Sequence, residues 1–240
     1  GYKRQGSASE AECEQVRAAL AAALERAAPS PDALAALLYR GGALVVERTP
    51  LDLDLVSFLV LVPMHVCTKA ALTTATQVWT WVLAERPSAL VALVGAIAQG
   101  WARTADARQG LYATTLRADS PLARPTSMTA LDHKAVALEA QRADELLTGH
   151  MLVLQVLEDV LASFGASSAP LMSVLVWLVQ HIVESAPRLS AHPVMRAPRL
   201  ALASLALRVL AAAHVDVLVE ARLRDGIARL LLCLLYTSDA

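Results

Sequence analysis

Apolar residues recur at three- and four-residue intervals along nearly the whole chain, the period of one face of an α-helix. Val16, Leu20, Ala23 and Leu24 share one such face and predict a first helix. Pro29-Ser30-Pro31-Asp32 breaks it, and Pro31 suits the first turn of a second helix through Leu34, Leu37 and Leu38. Gly41-Gly42 is expected to weaken or end that helix. Thr49-Pro50 is expected to start a third, with Leu55, Phe58, Leu59 and Val62 on its apolar face and Pro63 ending or kinking it. The next carries Thr68, Leu72, Trp79, Val82 and Leu83 and stops at Pro87, because the residue before a proline disfavours the helical region. Ser88 is the expected cap of a helix holding Leu90, Leu93, Val94, Ile97 and Trp101. Thr104 or Asp106 is the expected cap of a short one with Leu111, Tyr112 and Leu116.

Asp119 to Thr129, with Pro121 and Pro125, reads as a loop. A long helix is expected from Leu131 to Phe164 with a candidate break at Gly149, then a linker over Gly165-Ala166-Ser167-Ser168. Pro170 begins a helix with Leu171, Val174, Leu175, Leu178 and Ile182. Pro187, Pro193 and Pro198 mark an irregular connection before final helices over Arg199–Val215 and Val217–Leu232. Ala43 to Glu47 is the one candidate strand. Consecutive helices with short breaks predict an all-α fold: an α-solenoid-like array of stacked antiparallel helices, of the HEAT or armadillo kind with degenerate repeats, or else one compact helical domain. The expected divisions are N-terminal helices over 1–50, a helical segment over 51–232 with its loop near 119–130, and a tail over 233–240.

Three apolar runs raise the question of a membrane, as does a mean hydropathy of +0.47. Leu53–Val62 and Leu171–Val179 fall short of the ~20 residues a spanning helix needs. Leu200–Val219 contains Arg208, His214 and Asp216, each costly in hydrocarbon. All three are expected to be buried helices, with no transmembrane segment. The formal net charge of -1 gives no global attraction to nucleic acid or to an anionic surface. The chain has no asparagine, and its lysines are Lys3, Lys69 and Lys134, as GC-rich coding would produce; alanine richness is then a weak guide to fold. Cys13, Cys67 and Cys233 have no metal-ligand spacing and are odd in number, which favours a reducing compartment over a disulfide framework. Gly1 in place of a start methionine suggests an internal fragment, and CLLYTSDA from Cys233 onward looks like translated sequencing adapter.

Candidate chemistry concentrates between Pro63 and Pro87. His65 and Cys67 do not share a helix face, and no third ligand follows at metal spacing, so polar groups in a helix N-terminal turn are the expectation. A thiol there could have a lowered pKa, yet nothing nearby completes a nucleophilic pair. Trp79 and Trp81 lie about 200° apart on a helix, so one is expected in the core and the other at a neighbouring helix or interface; Trp101 is expected to pack inside. Arg196, Arg199 and Arg208, with Arg222, Arg224 and Arg229 further on, read as a solvated helix face or else as a headgroup patch, diluted by Asp216, Glu220 and Asp225. Asp144-Glu145 and Glu158-Asp159 read as exposed acidic positions. Phosphoryl transfer in a kinase needs an aspartate base and a magnesium-binding asparagine. The chain has no asparagine, no Asp-Phe-Gly and no glycine-rich phosphate loop, so no catalytic, cofactor or metal residue is expected in it.

Three blocks carry a family resemblance. The first is Pro63-x-His65-x-Cys67-Thr68-Lys69, continuing to Trp79-x-Trp81-x-Leu83-Ala84 and Arg86-Pro87. The second is Gly100-Trp101, Gly110-Leu111-Tyr112 and Ala118-Asp119-Ser120-Pro121-Leu122-Ala123. The third is Ala197-Pro198-Arg199, then a leucine-rich helix and His214-Val215-Asp216. In this order they resemble the helical region of the type III alpha phosphatidylinositol 4-kinases, upstream of the catalytic domain, over roughly Leu53 to Leu230; the first 50 residues match less clearly. The resemblance implies a solenoid scaffold in a large protein whose C-terminal kinase domain uses ATP and magnesium to phosphorylate the 4-hydroxyl of phosphatidylinositol. It also implies cytoplasmic placement, peripheral to the plasma membrane, in a complex with the rest of the kinase polypeptide, a tetratricopeptide-repeat subunit and a palmitoylated membrane-anchoring subunit. The motif residues, Trp101 included, would then be structural or interface positions. A free-standing helical-repeat adaptor is the alternative, and a small helical enzyme using His65 and Cys67 a third class. Exposed apolar ends of such an array are expected to promote a homodimer or aggregation.

Overall fold

Helices form the secondary structure of the described residues, and no strand occurs among them. The structure is a computed structural model and describes residues 10–25, 29–114, 130–164, 168–190, 192–213 and 217–236. In chain order the helices are α1 (Glu10–Glu25), α2 (Pro31–Glu47), α3 (Leu53–Val66), α4 (Lys69–Glu85), α5 (Leu90–Asp106), α6 (Ala130–Phe164), α7 (Ala169–Ser185), α8 (Arg196–Ala212) and α9 (Val217–Tyr236). The fold is all-α, as the periodicity predicts.

Several boundaries differ from the sequence expectation. Gly41-Gly42 does not end α2, and the candidate strand Ala43 to Glu47 forms its last turns. The glycines are tolerated because they let helices approach closely. A Cβ at Gly42 would come within 2.7 Å of Val78 and 3.1 Å of Trp81, so the missing side chain makes the α2–α4 contact. The third helix starts at Leu53 and not at Thr49-Pro50, because Asp52 directly precedes the apolar run and accepts the Leu55 N–H at 2.9 Å. Pro63 lies inside α3 and does not end it.

Ser88 does not cap α5; a 3-10 turn over Pro87–Ala89 runs straight into that helix. Thr104 and Asp106 belong to the last turn of α5, and the expected short helix reduces to a 3-10 turn over Gly110–Tyr112. Helix α6 continues through Gly149, which lies against Leu72. Ser168 caps α7, Pro187 and Pro193 sit in 3-10 turns, and Pro198 falls in the first turn of α8. The loop expected over Asp119–Thr129, Leu116, the linker residues Gly165 to Ser167, the motif stretches Ala118 to Ala123 and His214 to Asp216, and the end of the tail beyond Tyr236 lie outside the described residues.

Helices two apart in sequence pack on each other. One row runs α1, α3, α5, α7, α9 and the other α2, α4, α6, α8; pairs such as α1–α2, α3–α4 and α8–α9 join the rows. Direction follows from the contacts. Tyr39 bonds Gln77, Gly42 faces Val78 and Trp81, and the Val45 carbonyl takes Arg86, so numbers rise together along α2 and α4 and the two run the same way. One apolar core extends from Cys13 in α1 to Leu230 in α9. Helices α1 and α2 are therefore continuous with the segment that follows residue 51.

The apolar runs counted from the sequence understate two helices. Gln141–Phe164 and Ala169–Arg188 are long and apolar enough to cross a membrane, with 50% and 44% of those windows buried inside the fold. In the array these apolar faces meet protein: α6 packs on α4 and α8, and α7 on α5, α8 and α9. The outward side of α6 carries exposed Arg142, Asp144 and Glu145.

Candidate functional site

A proline inside a helix lacks the N–H that would bond the carbonyl four residues back. For Pro63 that carbonyl is Leu59. The fully buried Trp79 donates its indole Nε1–H to Leu59 O at 3.0 Å, so α4 supplies the bond that α3 lacks. Two motif residues, Pro63 in α3 and Trp79 in α4, thus form one joint.

The rest of the Pro63–Pro87 block acts the same way. Cys67 ends α3 in the left-handed region at φ 52°, and Thr68 caps α4, accepting the Ala71 N–H at 3.3 Å. The Lys69 N–H reaches Glu145 at 3.2 Å and its Nζ reaches Asp144 at 2.6 Å, tying the start of α4 to α6. Arg86 donates to the carbonyls of Val45, at 2.6 Å, and Arg48, covering the C-terminal end of α2 with a positive charge where helix carbonyls are unpaired. Pro87 opens the turn into α5. His65 is exposed on the last turn of α3, away from the cluster that holds Cys67. Trp81 covers Gly42 and remains 38% exposed, while Trp79 is buried, so the pair divides as their angular separation predicts.

Sequence reading missed His150, the polar centre of the interior. It lies fully buried in α6, with its ring edge-on to Trp101 at a centroid distance of 4.9 Å. Its Nε2 is 3.1 Å from Thr104 Oγ1, and its Nδ1 is 4.0 Å from Cys67 Sγ. The Thr104 hydroxyl also lies 2.8 Å from Trp101 O, which can only accept. The hydroxyl hydrogen therefore goes to that carbonyl, His150 Nε2–H donates to Thr104, and Nδ1 is left to accept from the Cys67 thiol. A second chain starts at Trp101. Its Nε1–H donates to Tyr112 Oη at 3.0 Å, Tyr112 donates to Ser185 Oγ at 2.9 Å, and Ser185 donates to His181 O at 2.6 Å. Both chains end on backbone carbonyls, so every donor has an acceptor and the end of α3 is tied to α5, α6 and α7 through one knot. Gly110 makes room for it: at φ +56°, a Cβ there would sit 2.2 Å from His150 Cε1.

The electrostatics of this knot favour the neutral forms of Cys67 and His150. Burial pushes the Cys67 thiol up to about 11 and the His150 imidazole down to about 4, so at neutral pH both are uncharged. The lowered thiol pKa expected for a helix start is corrected: Cys67 ends α3 instead, and desolvation dominates it. Among the described residues no group of three or more His, Cys, Asp or Glu side chains is placed to hold a metal ion.

The basic stretch is also corrected in part. Arg208 pairs with Glu158 at 3.4 Å, Arg224 with Glu220 at 2.5 Å and Arg229 with Asp225 at 2.6 Å, as on a solvated face. Arg199 is instead 6% exposed and donates to Leu189 O and Ser190 O at 3.1 and 3.0 Å. It helps line a groove of about 620 Å³ between α7, α8 and α9. The carboxylates Asp144, Glu145, Glu158 and Asp159 hold helix-surface contacts and no reacting centre.

Two rows of helices, joined by residues that bond the ends and open carbonyls of neighbouring helices, define a helical array protein. Among known families, the PI4-kinase N-terminal region matches residues 48–232, and the chain belongs to that family. Neither a curated protein nor a solved structure matched the chain.

Proposed function

We propose that this chain is a non-catalytic, solenoid-like scaffold segment of a phosphatidylinositol 4-kinase, holding the kinase domain and its partners in fixed geometry. The observation that carries this reading is the Pro63–Pro87 block. Its polar side chains are spent on helix ends and on a proline-freed carbonyl, and none converges on a reacting centre. In a stack of this kind each helix buries one face on its neighbours and leaves an outer face for binding. The parent protein would phosphorylate phosphatidylinositol at the 4-position, with ATP and magnesium bound in its kinase domain. Its partners would be a tetratricopeptide-repeat subunit and a membrane-anchoring subunit, which would bring it to the cytoplasmic face of the plasma membrane without a spanning helix of its own. Two assays on the purified chain test this. Incubation with ATP, magnesium and phosphatidylinositol vesicles is expected to give no phosphorylated lipid, and the tetratricopeptide-repeat subunit is expected to co-elute with it. Lipid phosphorylation by the chain itself would contradict the reading.

A further inference from the structure

We propose that the groove between α7, α8 and α9 binds a phosphate-bearing ligand with a short apolar portion. Its volume of about 620 Å³ suits a group of that size, and Val183, Ala186, Pro187 and Leu223 give it an apolar wall. Arg199 enters from α8. Its Nη2 is engaged by the two turn carbonyls, no other hydrogen bond of the guanidinium is formed among the described residues, and the residue lines the groove. No described carboxylate pairs with this guanidinium, although the residue is almost wholly buried. A mostly buried charge with no carboxylate partner among the described residues is only partly compensated, and an entering anion supplies a counter-ion.

Arg222 reaches the same groove from α9 and has no ion pair among the described residues, whereas its neighbours Arg224 and Arg229 are paired along their own helix. Asp225 on the groove wall is paired with Arg229. Glu184 stands exposed at the rim, where water screens it. One planar fork suffices for a carboxylate. Two forks arriving from different helices favour a tetrahedral dianion, which offers oxygens to both. The phosphate could belong to a soluble monoester or to a lipid headgroup. A groove of this kind binds its ligand whatever the array holds in place.

The test is calorimetric titration of the purified chain with inorganic phosphate and with phenyl phosphate, beside flotation with phosphatidylcholine vesicles with and without phosphatidic acid. Phenyl phosphate is expected to saturate and to bind more tightly than inorganic phosphate. Arg222→Gln, exposed and outside the core, is expected to raise Kd about ten-fold, while Arg224→Gln leaves it unchanged. Arg199→Gln removes contacts of the turn as well, so Arg222→Gln, checked for an unchanged helical signal, is the deciding variant. Phenyl phosphate binding without flotation assigns a soluble ligand; Arg222-dependent flotation confined to phosphatidic acid assigns a lipid. Absence of binding in both arms overturns the site. So does equal weakening by Arg222→Gln and Arg224→Gln, which marks diffuse charge attraction.

Discussion

The knot around His150 and the groove between α7, α8 and α9 are both polar insertions in an apolar stack, and they differ in how their polar groups are spent. In the knot each donor meets an acceptor, the ionisable groups are held neutral and no space is left; Gly110 has no room even for a methyl group. In the groove the Arg199 guanidinium is partly engaged, Arg222 has no ion pair among the described residues and about 620 Å³ stands open. A buried polar network with no unmet member specifies how helices meet. A buried charge without a counter-ion beside open volume is a place for something else to bind.

The comparison breaks most readily in the knot. Trp101→Ala removes the indole that donates to Tyr112 and packs edge-on with His150, and leaves a cavity against both. A loss of about 4 kcal/mol in urea unfolding is expected. Gly110→Ala adds a Cβ against His150 at a positive φ, and about 2–3 kcal/mol should be lost by the same measurement.

Acid should weaken the knot next. His150 is neutral in the folded chain, with its pKa held down to about 4 against 6.5 when unfolded. Between those values the unfolded chain binds the extra proton, so stability rises with pH across that window. It is complete above pH 6.5 and is lost as pH falls toward 4. Unfolding at pH 5 should therefore cost about 2 kcal/mol less than at pH 7 from this group, and His150→Gln should remove that difference. At the small end, Lys69→Ala breaks an exposed pair with Asp144 and should leave the unfolding midpoint within measurement error.

How far the sequence reached depends on what each residue answers to. Helix periodicity answers to local burial, so the apolar faces of α1, α4 and α7, the burial of one of Trp79 and Trp81, and the burial of Trp101 were legible. Gly41-Gly42 read as weakening or ending α2 because what justifies them, Leu59 of α3 against Gly41 and the flank of α4 against Gly42, lies far along the chain. Pro63 read as ending or kinking α3 because the group that rescues Leu59 O is an indole on the next helix. Cys67 read as a helix-start thiol because the chain turns into Thr68, the actual cap, one residue later. His150 in a long helix gives no signal at all; only Thr104 and Trp101, packed on it from α5, make it a centre. Arg199 read as solvated because the turn carbonyls that capture it precede it by about ten residues in an irregular, proline-marked connection.

The claim on which the account depends is that the motif block joins helices. A double-mutant cycle on Pro63 and Trp79 measures this joint directly. Trp79→Phe should cost about 2 kcal/mol in urea unfolding, since it orphans Leu59 O inside the core. In a Pro63→Ala background the backbone N–H is restored and can take that carbonyl, so the cost of Trp79→Phe should fall by about 1 kcal/mol. Equal costs in the two backgrounds would contradict the joint.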